Sequence, residues 1–103
     1  MKIAVVAVKD TLDDGTGFGS LSPGEPARDA KIVLERLKRD GYYIIIADSF
    51  ANSQESVRIL IHWLHQHELV YDDIWLGYGM PQAELYVNNN SKKVKDVLNA
   101  TTD

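Results

Sequence analysis

Lys9, Asp10 and Thr11 follow directly on an apolar, mostly β-branched run, Ile3 to Val8, and are the first residues in the chain whose side chains could do chemistry. Such a run suits a strand covered on both faces of a parallel sheet. In open α/β sheets ligands bind beyond the carboxyl ends of the strands, so Ala7, Lys9, Asp10 and Thr11 fall where a site would be built. Asp48 and Ser49 leave a second run of the same kind, Tyr43 to Ala47. Asp10 and Asp48 are the carboxylates available there for acid–base work or a magnesium ion, and Ser49 is the hydroxyl. No Gly-x-Ser-x-Gly elbow and no P-loop accompany them. Gly15-x-Gly17-x-Gly19 invites a nucleotide-binding reading, with Asp48 as the acid for the ribose. The dinucleotide fingerprint, however, belongs in the first turn after the strand, where a helix N-terminus meets the pyrophosphate, and these glycines come several residues later. The plain reading is a loop. His62, His65 and His67 lie on or near the end of one helix without a third ligand from another element, which makes them structural histidines and leaves no metal site.

The elements that must position these residues alternate. After the first strand, Asp13 to Glu25 carries four glycines and a proline and reads as one long loop. From Pro26 to Asp40 the residues Ala30, Val33, Leu34 and Leu37 repeat at helical spacing, with Pro26 in the first turn and Gly41 at the stop. A second strand spans Tyr43 to Ala47. Ser53 caps a second helix through about Glu68 with the stripe Val57, Leu60, Ile61 and Leu64. Ile74 to Gly77 and Leu85 to Val87 read as short third and fourth strands, and Ser91 to Asn99 as a last helix with Val94, Val97 and Leu98 inward. This alternation implies a parallel sheet with right-handed crossovers and helices on both faces.

Composition bounds the function classes. The 103 residues make one domain, 1–103, with 45% hydrophobic and 25% charged residues, as in an ordinary globular protein. The net charge of −4 argues against non-specific nucleic-acid binding. There are no cysteines, hence no disulfides, thiolate zinc sites or cysteine nucleophiles. No apolar run approaches the roughly 18 residues of a membrane span, and no cleavage site precedes the first strand, so the expectation is a cytoplasmic protein with no membrane partner. Tyr42, Tyr43, Tyr71, Trp63, Trp75, Tyr78 and Tyr86 are many aromatics for a small domain; most should pack in the core or at its edge, and any cluster left exposed would mark a contact surface.

In this order the chain resembles the haloacid dehalogenase superfamily, in particular its small capless phosphatases of the capsular polysaccharide biosynthesis type. Met-Lys-Ile-Ala-Val with Asp10-Thr11-Leu12 looks like the first motif, and Leu34 to Tyr42 with Ile44-Ile45-Ile46 like the following helix and second strand. Trp63-Leu64, Tyr71 to Ile74, Pro81 and Ala83 to Val87 continue the match. The resemblance implies a three-layer Rossmann-like sheet of strand order 4-1-2-3, without a cap. It also shows what has changed. Family members carry Asp-x-Asp-x-Thr at the end of strand one, a nucleophile and a general acid–base, where this chain has Ala7 and Lys9. A methyl group cannot form an aspartyl-phosphate, and an ammonium has no lone pair to act as base. Tyr78 stands where the family's lysine is expected, and Asn88-Asn89 replace the acidic pair that holds magnesium. Thr11 and the small hydroxyl aligned with Asp48 or Ser49 are what survives.

The leading expectation is therefore a non-catalytic domain, with no cofactor, that binds an unknown protein partner or small ligand and could self-associate as a homo-oligomer. The alternative is a magnesium-dependent phosphohydrolase whose carboxylates are Asp10 and Asp48. Lys9 is the pivot. Its ammonium could stand in for the metal, reaching Asp10 or Asp48 and the amide oxygens of Asn88 or Asn89.

Overall fold

The structure is a computed structural model that describes residues 2–13, 23–47, 53–75 and 81–87, the side chains of Lys9 and Asp10 excepted. Four strands, β1 (Lys2–Ala7), β2 (Tyr42–Ala47), β3 (Asp73–Trp75) and β4 (Leu85–Val87), form one all-parallel sheet in the order β3-β2-β1-β4. Counted from the other edge this is 4-1-2-3. Ala4, Val5 and Val6 are fully buried, as are Ile44 and Ile46, which accounts for the unbroken apolar runs in the sequence: a strand covered on both faces has no solvent side on which to place polar residues.

Helices α1 (Ala30–Arg39) and α2 (Gln54–Gln66) lie on one face of the sheet. Ala30, Val33, Leu34 and Leu37 of α1, with Leu60, Trp63 and Leu64 of α2, pack in one cluster with Ala4, Val6, Ile44, Ile46 and Val87. Right-handed crossovers explain the shared face, because β1-α1-β2 and β2-α2-β3 step across the sheet in the same direction. Val5 and Ile45 point to the other face and are buried there too. The expected last helix, Ser91 to Asn99, falls outside the described residues.

Several boundaries differ from the sequence reading. β1 ends at Ala7 rather than Val8, because the Val8 carbonyl accepts from the Asp13 N–H at 3.0 Å and so belongs to a five-residue π-helical turn, Val8–Leu12. α1 begins at Ala30 rather than Pro26: Pro26 bridges Asp13 in antiparallel fashion, and the Ala27 N–H donates to the Leu12 carbonyl at 2.6 Å. Those residues are held to the turn and cannot enter the helix. α2 stops at Gln66, two residues early, in a Schellman arrangement in which Leu69 N–H donates to Leu64 O and Glu68 N–H to His65 O. Glu68 takes the left-handed conformation there, φ 56°, while α1 ends on Gly41 at φ 91°. In the second helix stripe Trp63 is buried and Ile61 only half-buried. β3 starts at Asp73 rather than Ile74, and residues 76–80, which include the expected end of the strand at Gly77, lie outside the described residues.

At the amino end of the sheet Asp72 ties three elements together. Its carboxylate accepts the Ile44 N–H at 2.7 Å and both oxygens accept from Lys38 Nζ of α1 at 2.8 Å. Burial alone would raise its pKa; the Lys38 hydrogen bonds, the Ile44 N–H and the Lys38 charge outweigh burial and hold it below the usual value. A carboxylate depressed on folding contributes stability above its unfolded pKa of about 4 and loses it as the pH falls through the lower folded value. Lys38 is 41% exposed, so the ion pair contributes at most about 1 kcal/mol. Urea unfolding should show Asp72→Ala destabilised by about 1–3 kcal/mol at neutral pH, chiefly from the orphaned Ile44 N–H. The gap to the unmodified protein should narrow below about pH 4.

A second prediction concerns the start of α2. The Ser53 hydroxyl accepts the Ser56 N–H, and the Ser56 hydroxyl accepts the Ser53 N–H, a reciprocal box with serine in the place more often held by glutamate. Ser53→Ala should lower stability by about 0.5–2 kcal/mol, read as a fall in the urea midpoint with an unchanged slope.

Candidate functional site

Three strands end level at the carboxyl edge: Ala7, Ala47 and Trp75 share one register row, and Val87 of β4 stands beside Val6. Ala7 and Ala47, paired side by side and half-buried, put two methyl groups at the centre of that edge. Directly beyond Ala7 the π turn bends the chain within five residues. π-helical turns are rare and concentrate at functional sites, because they aim side chains that a regular ladder would direct elsewhere. Val8 and Leu12 anchor the turn in the core, and Thr11 is 4% exposed. The backbones of Lys9 and Asp10 are thereby fixed at the mouth of the sheet.

The candidate residues divide accordingly. Ala7 and Thr11 are placed at the carboxyl end of β1, with Lys9 and Asp10 between them in the turn. Asp48, Ser49, Tyr78, Asn88 and Asn89 lie outside the described residues, as do Gly15, Gly17 and Gly19. Asp48 and Asn88 follow Ala47 and Val87 directly in sequence. Thr11 is buried and engaged in the fold.

Two residues organise this end, Asp13, read from the sequence as the first residue of a loop, and Trp63, read as one of many core or edge aromatics; Tyr86 acts on the stretch before β4. Asp13, 6% exposed, closes the π turn through its N–H and accepts the Gly24 N–H on its carboxylate at 3.1 Å. Trp63 of α2 donates its indole N–H to the Gly24 carbonyl at 2.8 Å. Tyr86 of β4 uses its hydroxyl twice, donating to the Pro81 carbonyl at 2.7 Å and accepting the Ala83 N–H at 3.0 Å, which fixes the approach to β4. The signal for Asp13 was present in Asp13-Asp14-Gly15, a turn-forming run whose first carboxylate is suited to bonding backbone N–H groups. For Trp63 it was a bulky aromatic at a buried helical position, whose N–H must find an acceptor.

Among the described residues, the shifted carboxylates lie elsewhere. Glu84, just before β4, is held below the usual carboxylate range by the Ile3 N–H, which it accepts at 2.6 Å. With Asp72 it marks the amino end of the sheet, opposite the candidate site. His67 packs edge-on against Trp63 with centroids 5.3 Å apart, His65 Nε2 lies 3.4 Å from the Tyr71 hydroxyl, and His62 is exposed. Among the described residues, no three of His, Asp or Glu gather as metal ligands, and no helix is long and apolar enough to cross a membrane.

No protein-family model and no curated protein matches the chain. A crystal structure of an MCSG target from Vibrio cholerae is similar with a TM-score of 0.67 at 18% identity, over 100% of this chain and 90% of that one. At that identity the likeness shows a shared fold.

Proposed function

We propose that this protein is a non-catalytic domain of haloacid dehalogenase-like fold that binds a protein partner or a small ligand at the carboxyl end of its sheet. The observation that carries the reading is Ala7. It is the last residue of β1, in register with Ala47, at the position where the resemblance expects the attacking aspartate. A methyl group has no lone pair with which to attack phosphorus. The strand order with β1 between β2 and β4 supports the family reading, and so does Thr11 at the end of the turn. In this reading the protein is cytoplasmic and a second copy of the chain can serve as the partner.

In this reading Lys9 replaces the metal. The family gathers carboxylates at the ends of strands one and four and neutralises them with magnesium; here a cation enters on the turn and amides, Asn88 and Asn89, replace the acids. Neutral amide oxygens hold magnesium poorly without carboxylates. An ammonium paired with one carboxylate, Asp10 or Asp48, and with the amide oxygens gives a neutral cluster that needs no ion.

Hydrolysis of p-nitrophenyl phosphate with magnesium tests the loss of catalysis. The expected result is no turnover above the protein-free rate, unchanged in Asp10→Asn and Asp48→Asn. Turnover that disappears in Asp10→Asn would establish the phosphohydrolase with displaced carboxylates instead. Thermal unfolding tests the cation substitution: magnesium should leave the melting temperature of the unmodified protein unchanged, since a ligand stabilises only the state it binds. Lys9→Asp should melt lower in metal-free buffer and recover with magnesium.

A further inference from the structure

We propose that Asp13, Gly24 and Trp63 form an interlock through which helix α2 sets the conformation of the turn carrying Lys9, Asp10 and Thr11, so that Asp13 and Trp63 are positioning residues for the carboxyl end of β1. Gly24 is gripped on both its polar groups: its N–H donates to Asp13 Oδ2 at 3.1 Å, and its carbonyl accepts from Trp63 Nε1 at 2.8 Å. Asp13 passes the restraint to the turn, because its own N–H donates to the Val8 carbonyl at 3.0 Å and its backbone bridges Pro26. Ala27 N–H to Leu12 O, 2.6 Å, closes the other side. The path runs from α2 to the end of β1 through residues distant in sequence, and its hydrogen bonds join residues that are buried or half-buried.

The chemistry makes the links interdependent. A buried indole N–H without an acceptor, or a buried carboxylate without a donor, is costly, so breaking one link strains the group at the other end. The bond from Gly24 N–H to the Asp13 carboxylate is charge-assisted, and at 3.1 Å it is longer than the indole bond of 2.8 Å. Trp63 is itself fixed, 5% exposed in the core and packed edge-on against His67. The α2 end of the interlock is therefore rigid, and the adjustable end is the turn. The inference does not depend on the family resemblance or on which ligand the site takes.

Native-state hydrogen exchange resolves it residue by residue. Trp63→Phe keeps an aromatic ring in the core and deletes the indole donor. The expected result is exchange at the Asp13 and Ala27 amides faster by at least tenfold than any change at the Ile44 and Asp72 amides, which pair with each other's residues at the opposite end of the sheet. Asp13→Asn, which keeps an acceptor oxygen without the charge, should give the same pattern at smaller amplitude, and Asp13→Ala a larger one. A uniform rise at all four amides would show that Trp63 and Asp13 merely stabilise the whole fold and would overturn the proposal. So would unchanged exchange at Asp13 and Ala27.

Discussion

The parallel pairing of β1 with β2, six residues on each strand from Lys2↔Tyr42 to Ala7↔Ala47, is the interaction on which the rest of the structure depends. It buries β1 between two neighbours and fixes which residues face α1 and α2. A one-residue slip would exchange the two faces of a strand, carrying Ala4 and Val6 away from the helices and Val5 toward them. The same register brings Ala7 and Ala47 to the edge together. The chemistry available at that edge is thus decided by sheet pairing before any loop is considered.

Beyond the edge, direction changes at once. The π turn spends no residues on a gradual exit, and both its ends are held: Val8 and Leu12 by apolar burial, Asp13 by hydrogen bonds. This economy places Lys9 and Asp10 immediately over the sheet. It also explains why Pro26 and Ala27 are unavailable to α1, since they serve as the far side of the turn's anchorage. The amino end of the sheet is governed differently, by the carboxylates Asp72 and Glu84 accepting backbone N–H groups of β2 and β1. Charge there is structural.

Much of this was legible in the sequence. The buried strands declared themselves as continuous β-branched runs, and the α1 stripe of Ala30, Val33, Leu34 and Leu37 is the buried one, because a 3.6-residue period leaves little choice of face. The Ser53 cap was also readable. What could not be read was anything set by contacts across long sequence separations. The end of β1 depends on Asp13 reaching back to Val8, the start of α1 on Pro26 meeting Asp13, and the burial of Trp63 on an acceptor at Gly24, 39 positions away. Propensity and period carry no information on such partners. The candidate site was legible only in part: Ala7 and Thr11 stand at the expected edge, and Asp13, which organises it, looked like the first residue of a loop.

We propose above that a lysine ammonium takes the place of a metal ion at the carboxyl end of the sheet. A crystal structure of the unmodified protein grown at millimolar magnesium tests it most directly. The account predicts Lys9 Nζ within hydrogen-bond distance of a carboxylate of Asp10 or Asp48 and of an amide oxygen of Asn88 or Asn89, with no ion between them. An octahedral magnesium bound by Asp10 or Asp48, with Lys9 turned to solvent, would contradict it.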